Sequence, residues 1–346
     1  MKNINTYYIA LIFSALFVVS CSDDEDATVE YGKGLYIVNQ GNFGTGSGTV
    51  DYISTESDTV DADIFMDANL GLQLGNVVQS MITFDDKIFI AVNNAAKIEV
   101  VDSKTFKSVG IVTGIPQPRY FATDGDQLYV SSWGLTGLDG AVYEIDTDNY
   151  TVKSTIDLGS GPEDLHIVGD KLIVARGGGF GTDSTLVVID MNTNEIESTI
   201  EVAYNPNFID EDADGNLYVV CGGFTSFTDP TLNTNGELIK LTDLQVVSSI
   251  EVENGAIYCE YHESSNSILY YAGGSVWAQA ANEATRTMNR IYTGFIYALE
   301  VANNEVYLSD PKDFASKGTV HKMSENFDPL NSYEVGIIPG FIYLVD

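Results

Sequence analysis

The chain closes on IPGFIYLVD, residues 338–346, which has the composition of one β-strand and is followed by no partner strand. A near copy lies upstream, because GFIY at residues 294–297 matches GFIY at residues 340–343. After Tyr297 the chain continues through three more strand-like segments, whereas after Tyr343 it stops. We therefore expect the ending to be the first strand of a repeat unit, with its partner strands elsewhere in the chain.

One short strand recurs along the whole chain, with the pattern aliphatic, aromatic or aliphatic, aliphatic, small. Its starts are 37 to 53 residues apart, which is typical of four-stranded propeller blades. The seven copies begin at Leu35, Ile88, Leu128, Leu172, Leu217, Leu269 and Val306.

Each copy lies in a common frame, which is clearest around the third. An inner strand (residues 118–122) is followed by a tight turn, the counted strand, a glycine-rich loop, a third strand (141–146) and an outer strand (152–156). The turns use Asp, Asn and Gly, residues that tolerate positive φ or bond back to the backbone. Because no amphipathic helical stretch of useful length follows the N-terminal segment, we predict an all-β fold: a seven-bladed β-propeller formed as one domain by residues 31–346.

The inner strands explain the ending. We expect them to begin near Val78, Arg119, Asp164, Asn207, Ala256, Phe295 and Phe341. The first blade has three strands of its own near residues 35–65, so Phe341 to Val345 would supply its inner strand and close the ring. Burial of Phe341, Ile342, Tyr343 and Leu344 would contribute about 6–12 kcal/mol in total, which rivals the net stability of a domain.

The N-terminus predicts the location. Lys2 and the apolar run 7–20 have the length of a signal peptide, so residues 1–20 are expected to be removed. Residues 18–21 (VVSC) resemble the lipobox of bacterial lipoproteins, which makes Cys21 the expected lipidation site, and residues 22–26 (SDDED) resemble the export signal of Bacteroidota surface lipoproteins. The alternatives are an ordinary secretory signal with an incidental cysteine and a merely solvated acidic segment. Residues 21–30 then form a flexible tether to the outer membrane, facing the cell exterior.

The charge excludes one class of partner. The formal net charge is −34, and the loss of Lys2 with the signal peptide would make it −35. Phosphate backbones would be repelled, so nucleic acid is not an expected partner, and the membrane is contacted through the lipid anchor alone. Two cysteines remain beyond Cys21, and we expect Cys221 and Cys259 to be buried thiols, with a disulfide as the alternative.

One face of the propeller is predicted to bind a ligand. Loops from second to third strands and from outer to inner strands share this face, and they carry glycines, amides and aromatic residues in an otherwise acidic chain. The opposite face has mostly short Asp, Asn and Gly turns. For each residue the alternative is a structural role. The candidates are Asn39, Gln40, Asn42, Phe43, Asn93, Arg119, Tyr120, Trp133, Arg176, Phe180, Asn207, Phe208, Phe224 and Phe227.

Catalytic and metal motifs are weak. His166, His262 and His321 fall in different blades, and the common zinc, nucleophile-elbow and phosphate-loop patterns are absent from the sequence. Residues 210–215 (DEDADG) begin like a calcium loop, but position twelve is Cys221 rather than Glu, and a hairpin turn is the preferred interpretation. We therefore expect no catalytic residues, no metal site and no required cofactor.

The lipobox, the acidic export signal and the seven blades together resemble the YncE-like propeller lipoproteins of Bacteroidota, in particular the BtuG type. This resemblance implies capture of cobalamin or another corrinoid for a TonB-dependent, BtuB-like outer-membrane transporter, and not an enzyme. In such a role Asn39, Gln40, Asn42 and Asn93 would bond the ligand's amides, Arg176 an amide oxygen or phosphate, and Trp133, Phe180 and Phe224 its ring. The alternatives are a scaffold for a protein or glycan, and a lactonase- or lyase-type enzyme, for which Glu163 and Asp164 are the nearby acids.

Overall fold

The computed structural model describes residues 30–54 and 57–345, which form seven antiparallel sheets of four strands each. The expected signal peptide and Cys21 lie outside these residues. The strands of the first blade are β1 (Gly34–Asn39), β2 (Thr49–Ser54) and β3 (Val60–Asp61), followed by a helix α1 (Ile64–Ala68). The second blade contains β4 (Val78–Phe84), β5 (Lys87–Val92), β6 (Lys97–Asp102) and β7 (Ser108–Thr113). The third contains β8 (Pro118–Thr123), β9 (Leu128–Ser132), β10 (Gly140–Asp146) and β11 (Thr151–Gly159).

The remaining four blades follow the same order. The fourth contains β12 (Leu165–Val168), β13 (Lys171–Ala175), β14 (Thr185–Asp190) and β15 (Glu195–Glu201). The fifth contains β16 (Pro206–Glu211), β17 (Leu217–Cys221), β18 (Gly236–Thr242) and β19 (Gln245–Val252). The sixth contains β20 (Ile257–His262), β21 (Ser267–Ala272), β22 (Ser275–Ala280) and β23 (Asn289–Thr293). The seventh contains β24 (Ala298–Ala302), β25 (Glu305–Asp310), β26 (Lys317–Met323) and β27 (Pro329–Ile337), and β28 (Pro339–Val345) ends the chain; short 3-10 helices span Asn93–Ala95, Pro230–Leu232 and Glu263–Ser265.

The C-terminal strand closes the ring, as the sequence predicts. β28 pairs antiparallel with β1 and completes the sheet in the order β28-β1-β2-β3. Phe341 pairs with Val38 and Leu344 with Leu35. Of the four residues expected to be buried, only Ile342 is fully buried, at 1% exposure. Phe341 and Tyr343 are partly exposed because they line the central channel, and Leu344 is partly buried against the core shared with the seventh blade. The free energy gained by burying this strand is therefore smaller than the sequence estimate.

The second strand of each blade forms the packing between blades. In β1, Tyr36 and Val38 pack in one core with Ile88 of the second blade. Leu35 and Ile37, on the opposite face, pack in another core with Tyr307 of the seventh blade. Alternate residues of a strand point to opposite faces, so each strand contributes to two cores. This arrangement explains why the central residues of these strands are apolar on both faces.

Two details of the predicted repeat were wrong. In the sixth blade Ile268, rather than Leu269, is the first residue of the motif, because Ile268 and Tyr270 pack against Tyr218 of the fifth blade. Ile268 and Leu269 both fit the pattern, and a shift of one residue exchanges the two faces of a strand.

The inner strand of the seventh blade also begins later than expected, at Ala298 rather than Phe295. Ala298 pairs with Ser309, in the position where Phe341 pairs with Val38. The structural equivalent of Phe341 is therefore Ala298, three residues after Phe295, so the two GFIY segments do not occupy equivalent positions. The upstream copy belongs to the connection after β23, and Phe295 within it is 49% exposed.

Both later cysteines are free and buried, Cys221 at the end of β17 and Cys259 within β20, as favoured from the sequence. Residues 210–215 form the end of β16 and the hairpin turn to β17, where the Gly215 amide donates to the Asp212 carbonyl. Among the described residues, no helix combines the length and hydrophobicity needed to cross a membrane.

Candidate functional site

The two ends of the propeller differ in chemistry. Strand directions alternate within each blade, so the second-to-third loops and the connections between blades share one end, here called the loop face; the other end is the turn face. Most of the large apolar side chains exposed in connections between the described strands lie on the loop face: Phe43, Leu135, Leu138, Phe180, Tyr204, Phe227, Leu232, Phe295 and Phe314. Leu70 and Leu72 follow α1, where Asn69 bonds to Phe106 in a turn of the turn face. Exposed apolar side chains gathered at one end of a molecule make that end a candidate interaction site.

A polar network, the mouth cluster, closes the centre of the loop face. It is formed by Gln79, Arg119, Trp133 and Glu163. Arg119 binds Glu163 with Nη2 at 2.5 Å and Nε at 3.2 Å, and its Nη1 donates to Gln79 Oε1 at 2.5 Å. The guanidinium carbon lies 3.9 Å from the centroid of the Trp133 ring, and Trp133 Nε1 donates to Glu163 Oε2 at 2.6 Å. These contacts join the second, third and fourth blades.

Electrostatics hold Arg119 charged within the mouth cluster. Burial opposes the charged form of Arg119, but the Glu163 carboxylate outweighs this effect, and the pKa of the guanidinium is raised. A buried pair of this kind depends on every remaining donor and acceptor being satisfied. Gly178 makes room for it, because a Cβ atom at residue 178 would overlap both Trp133 and Glu163.

Below the mouth cluster, rings line the channel. Tyr120 and Phe208 have centroids 5.3 Å apart, and Phe208 and Tyr258 have centroids 5.2 Å apart. Phe341 continues this layer, 6.1 Å from Tyr120. The channel here is a cavity of about 200 Å³ lined by residues of all seven inner strands.

Deeper still, the channel is acidic. Asp210, Glu260 and Glu300 occupy corresponding positions in three consecutive blades, each paired with the second residue of the repeated strand motif. Burial, with Asp210 nearby, raises the pKa of Glu300 to about 8. Asp164, at the level of the ring layer in the fourth blade, adds another buried carboxyl group to the channel, and burial raises its pKa to about 7. Burial and the neighbouring carboxylates also raise the pKa of Glu260. Part of this layer is therefore protonated at neutral pH.

A second feature of the loop face is a cleft of about 720 Å³ between the fourth, fifth and sixth blades. It is lined by residues from the loops 177–182 and 222–228 and from the strand entries 205–207 and 255–257. The lining contains glycine, asparagine, serine, threonine, phenylalanine, alanine and isoleucine but no charged residue. Its volume is typical of sites for small organic ligands.

The glycines of this cleft bring backbone to its surface. Gly223 has φ of +79°, a conformation that favours glycine, and a Cβ atom there would contact Asn235 O at 2.5 Å. Phe180 and Phe227 border the cleft with exposures of 75% and 99%. The cleft thus combines polar backbone with two accessible rings.

The structure separates the sequence candidates into groups. Arg119 and Trp133 meet in the mouth cluster, and Tyr120 lies in the ring layer directly below it. Near the mouth, Tyr297 donates to Gln40 Oε1 at 3.3 Å. Phe180, Asn207, Phe224 and Phe227 line the cleft, and Phe208 belongs to the ring layer of the channel.

The other candidates have structural contacts. Asn39 is fully buried and donates to Thr49, so it is not accessible to a ligand. Asn93 Nδ2 donates to the Pro118 carbonyl at 3.1 Å, and Arg176 is paired with Asp183 at 3.0 Å. Asn42 and Phe43 lie in the loop of the first blade, where Phe43 is 79% exposed.

The sequence reasoning missed two contributors to this face as binding residues: Asn205 in the cleft and Tyr297 at the mouth. Glu163 was considered only as a possible acid. Each inner strand contributes one residue at the level of the ring layer, such as Tyr120 or Phe208. The residues directly before this level include Gln79, Arg119, Glu163 and Asn207. Comparison of inner strands at this position would have identified Glu163.

The histidines do not form a catalytic group. His166 lies in β12 beside Glu211, His262 at the end of β20 and His321 in β26, hence in three blades. Within residues 30–54 and 57–345, no three His, Cys, Asp or Glu side chains are arranged to hold a metal ion. Asp212 instead accepts hydrogen bonds from Asn216 in the turn.

A family model described as a domain of unknown function (DUF5074) matches residues 33–309. No curated protein sequence matches the chain.

Solved structures share the fold at low identity. A quinonprotein alcohol dehydrogenase-like protein from Bacteroides thetaiotaomicron is similar with a TM-score of 0.67 and 15% identity, covering 92% of this chain and 79% of that chain. A putative 6-phosphogluconolactonase from Bacteroides fragilis has a TM-score of 0.66 and 11% identity, covering 91% of this chain and 98% of that chain. A periplasmic gluconolactonase from Pseudomonas aeruginosa has a TM-score of 0.63 and 12% identity, covering 90% of this chain and 99% of that chain. At such identities the likeness concerns the propeller fold alone.

Proposed function

The chain belongs to the DUF5074 family, and we propose that it is a binding protein that captures a corrinoid, such as cobalamin, on its loop face. The observation that carries this proposal is the uncharged cleft of about 720 Å³, bordered by Phe180 and Phe227, in a chain with a net charge of −34. A surface free of charge in such a chain is matched to a ligand whose contacting groups are themselves uncharged.

A corrinoid fits this surface chemically. Its macrocycle is broad and edged with carboxamides, so it requires an open face with amide and backbone partners rather than a narrow pocket. Phe180 and Phe227 offer rings to the apolar macrocycle, and Asn205 and Asn207 offer amides to its edge. The blades hold these elements in place before binding, which lowers the entropic cost of association.

The cellular context belongs to the same proposal. Cys21 would carry the lipid that anchors the protein to the outer membrane, with the propeller at the cell exterior. A TonB-dependent, BtuB-like transporter would receive the ligand. In this role the protein performs no chemistry on the corrinoid, and it requires no cofactor.

The direct test is a titration of the chain from residue 27 onward with cyanocobalamin, followed by calorimetry and by the visible absorbance of the ligand. We expect saturable binding at micromolar concentration or below. Phe227→Ala should weaken binding about fivefold to 150-fold, since loss of a ring contact costs about 1–3 kcal/mol. Leu330→Ala is the matched control, because Leu330 is an exposed apolar residue on the outer strand β27.

Absence of binding at micromolar concentration would refute the corrinoid function. It would favour the alternative of a surface scaffold for a protein or glycan, which the exposed apolar side chains of the loop face also suit. Hydrolysis of a gluconolactone by the same preparation would instead indicate an enzyme.

A further inference from the structure

We infer that the cleft selects its ligand by charge and hydrogen-bond type: it accepts carboxamides and rejects carboxylates, with Asn205 and Asn207 as the selecting residues. The inference rests on the proposed function, since it names the groups of a corrinoid that the cleft recognises, its peripheral carboxamides. It also defines the ligand class more broadly, as uncharged molecules that donate hydrogen bonds.

The first argument is the absence of a cation for an anionic ligand. None of the residues that line the cleft is lysine or arginine. Arg176, directly before the lining residue Gly177, is paired with Asp183 at 3.0 Å and donates to Thr185 Oγ1 at 3.3 Å. Arg119 at the mouth is paired with Glu163. An anion in the cleft would therefore lose water without gaining a free positive partner.

The second argument is the orientation of the two asparagines. Asn207 Nδ2 donates to the Asn205 carbonyl at 2.8 Å, and Asn205 Nδ2 donates to the Gly223 carbonyl at 2.6 Å. These bonds to carbonyl oxygens require the nitrogen of each side chain at that position. Among the described residues neither Oδ1 atom accepts a hydrogen bond, so each asparagine retains this acceptor beside the second N–H of its Nδ2. A carboxamide can bond to both groups, whereas a carboxylate can bond only to the N–H and leaves Oδ1 facing an oxygen.

An acceptor discriminates between an amide and an acid. A carboxamide has two N–H donors, whereas an ionised carboxylate has acceptors only. Two oxygens facing each other without a proton repel, and the net charge of −34 adds a repulsion that salt screens. Specificity then comes from an unfavourable contact with the wrong ligand as well as a favourable contact with the right one.

The experiment compares cyanocobalamin with its monocarboxylic acid derivatives, in which one peripheral carboxamide is hydrolysed. We expect at least one of these acids to bind about tenfold or more weakly, which is about 1.4 kcal/mol, and the difference to shrink as salt is added. Asn207→Ala should reduce the difference, whereas Asn192→Ala, in an exposed turn of the turn face, should leave it unchanged. Equal affinity for the amide and every acid would overturn the inference while leaving corrinoid binding intact.

A second measurement does not require a corrinoid or a variant. With the protein selectively labelled with ¹⁵N-asparagine, the side-chain signals of Asn205 and Asn207 are followed as acetamide or acetate is added at millimolar concentration. We expect saturable shifts with acetamide and none with acetate. Shifts with acetamide in a protein that does not bind cyanocobalamin would support the selectivity and refute the corrinoid function. Equal responses to both probes, or no response to either, would overturn the selectivity.

Discussion

Arg119 and Trp133 bind the same carboxylate, that of Glu163, while the guanidinium carbon of Arg119 lies 3.9 Å from the centroid of the Trp133 ring. The three side chains come from the entry to β8, the end of β9 and the entry to β12. A cation, a ring and an anion thus join two neighbouring blades at the centre of the loop face. The mouth is therefore fixed by direct contacts between side chains of the third and fourth blades.

The Trp133–Glu163 bond predicts unequal effects for the two tryptophans. Trp133→Phe keeps a ring beside Arg119 but removes the donor to a charged acceptor, and we expect the free energy of unfolding to fall by about 1.5–3 kcal/mol. Trp277 donates to the neutral Ala272 carbonyl at 3.1 Å, so Trp277→Phe should cost about 0.5–1.5 kcal/mol. Urea denaturation followed by circular dichroism measures the free energy of unfolding of both variants. Equal losses would show that the bond from Trp133 to the Glu163 carboxylate contributes no more than a bond to a neutral carbonyl.

Gly178 predicts a steric effect at the same place. Gly178→Ala would place a methyl group against Trp133 and Glu163, and we expect about 1–3 kcal/mol of destabilisation from overpacking. A methyl group on Gly32 would have no atom within 4 Å, which makes Gly32→Ala the control. Thermal unfolding of the two variants side by side tests this; an unchanged Tm for Gly178→Ala would mean that the mouth can open to accept the group.

Ring closure predicts a cooperative loss. Deletion of residues 340–346 would remove the partner of β1 and leave its backbone groups without hydrogen bonds, so we expect the truncated chain to show no cooperative thermal transition. Ile342→Val is the graded control and should cost only about 0.5–1.5 kcal/mol. A truncated protein that melts like the full chain would refute closure by β28.

Two buried carboxyl groups of the channel, Asp164 and Glu300, predict a stability that falls as pH rises. The pKa of Asp164 is about 7 and that of Glu300 about 8 in the folded protein, whereas both groups titrate near about 4 when unfolded. Between these values the folded state binds more protons than the unfolded state, so stability decreases as pH increases through this range. We expect a higher Tm at pH 5 than at pH 8.

The double variant Asp164→Asn, Glu300→Gln should flatten this dependence, since neither replacement titrates. Asp146→Asn is the control, because hydrogen bonds from Asn149 hold the pKa of Asp146 below its ordinary value, outside the range from pH 5 to 8. A Tm that increases from pH 5 to pH 8, or a double variant whose Tm depends on pH as strongly as that of the native protein, would show that Asp164 and Glu300 do not cause this dependence.

The predicted fold was accurate where local patterns repeat. Seven second strands and the closing strand are recognisable because each blade needs an apolar strand that packs against two neighbours. The same pattern misassigned Leu269 and Phe295, since Ile268 also fits the motif and GFIY recurs in a connection. The first position is decided by packing against the fifth blade and the second by strand pairing within the seventh, and a local pattern contains neither contact.

The candidate site was predicted as a face, and the structure resolved it into distinct parts. Phe180, Phe227 and Asn207 meet in the cleft, whereas Asn39 is buried and Arg176 is neutralised by Asp183. An amide or an arginine in a loop has the same local sequence signature whether it binds a ligand or another loop. Only the positions of its neighbours distinguish the two roles.

By itself the sequence determined the all-β class, the number of blades, the strand that closes the ring and the acidic character of the chain, because each follows from composition or from short-range periodicity. The tertiary structure decided the register of the sixth and seventh blades, the pairing of Arg119 and Trp133 on Glu163, the stacking of the acidic layer and the uncharged cleft between three blades. Each of these depends on groups distant in sequence that meet only when strands pair and neighbouring blades pack, and their energies arise from burial and contact that no single segment possesses.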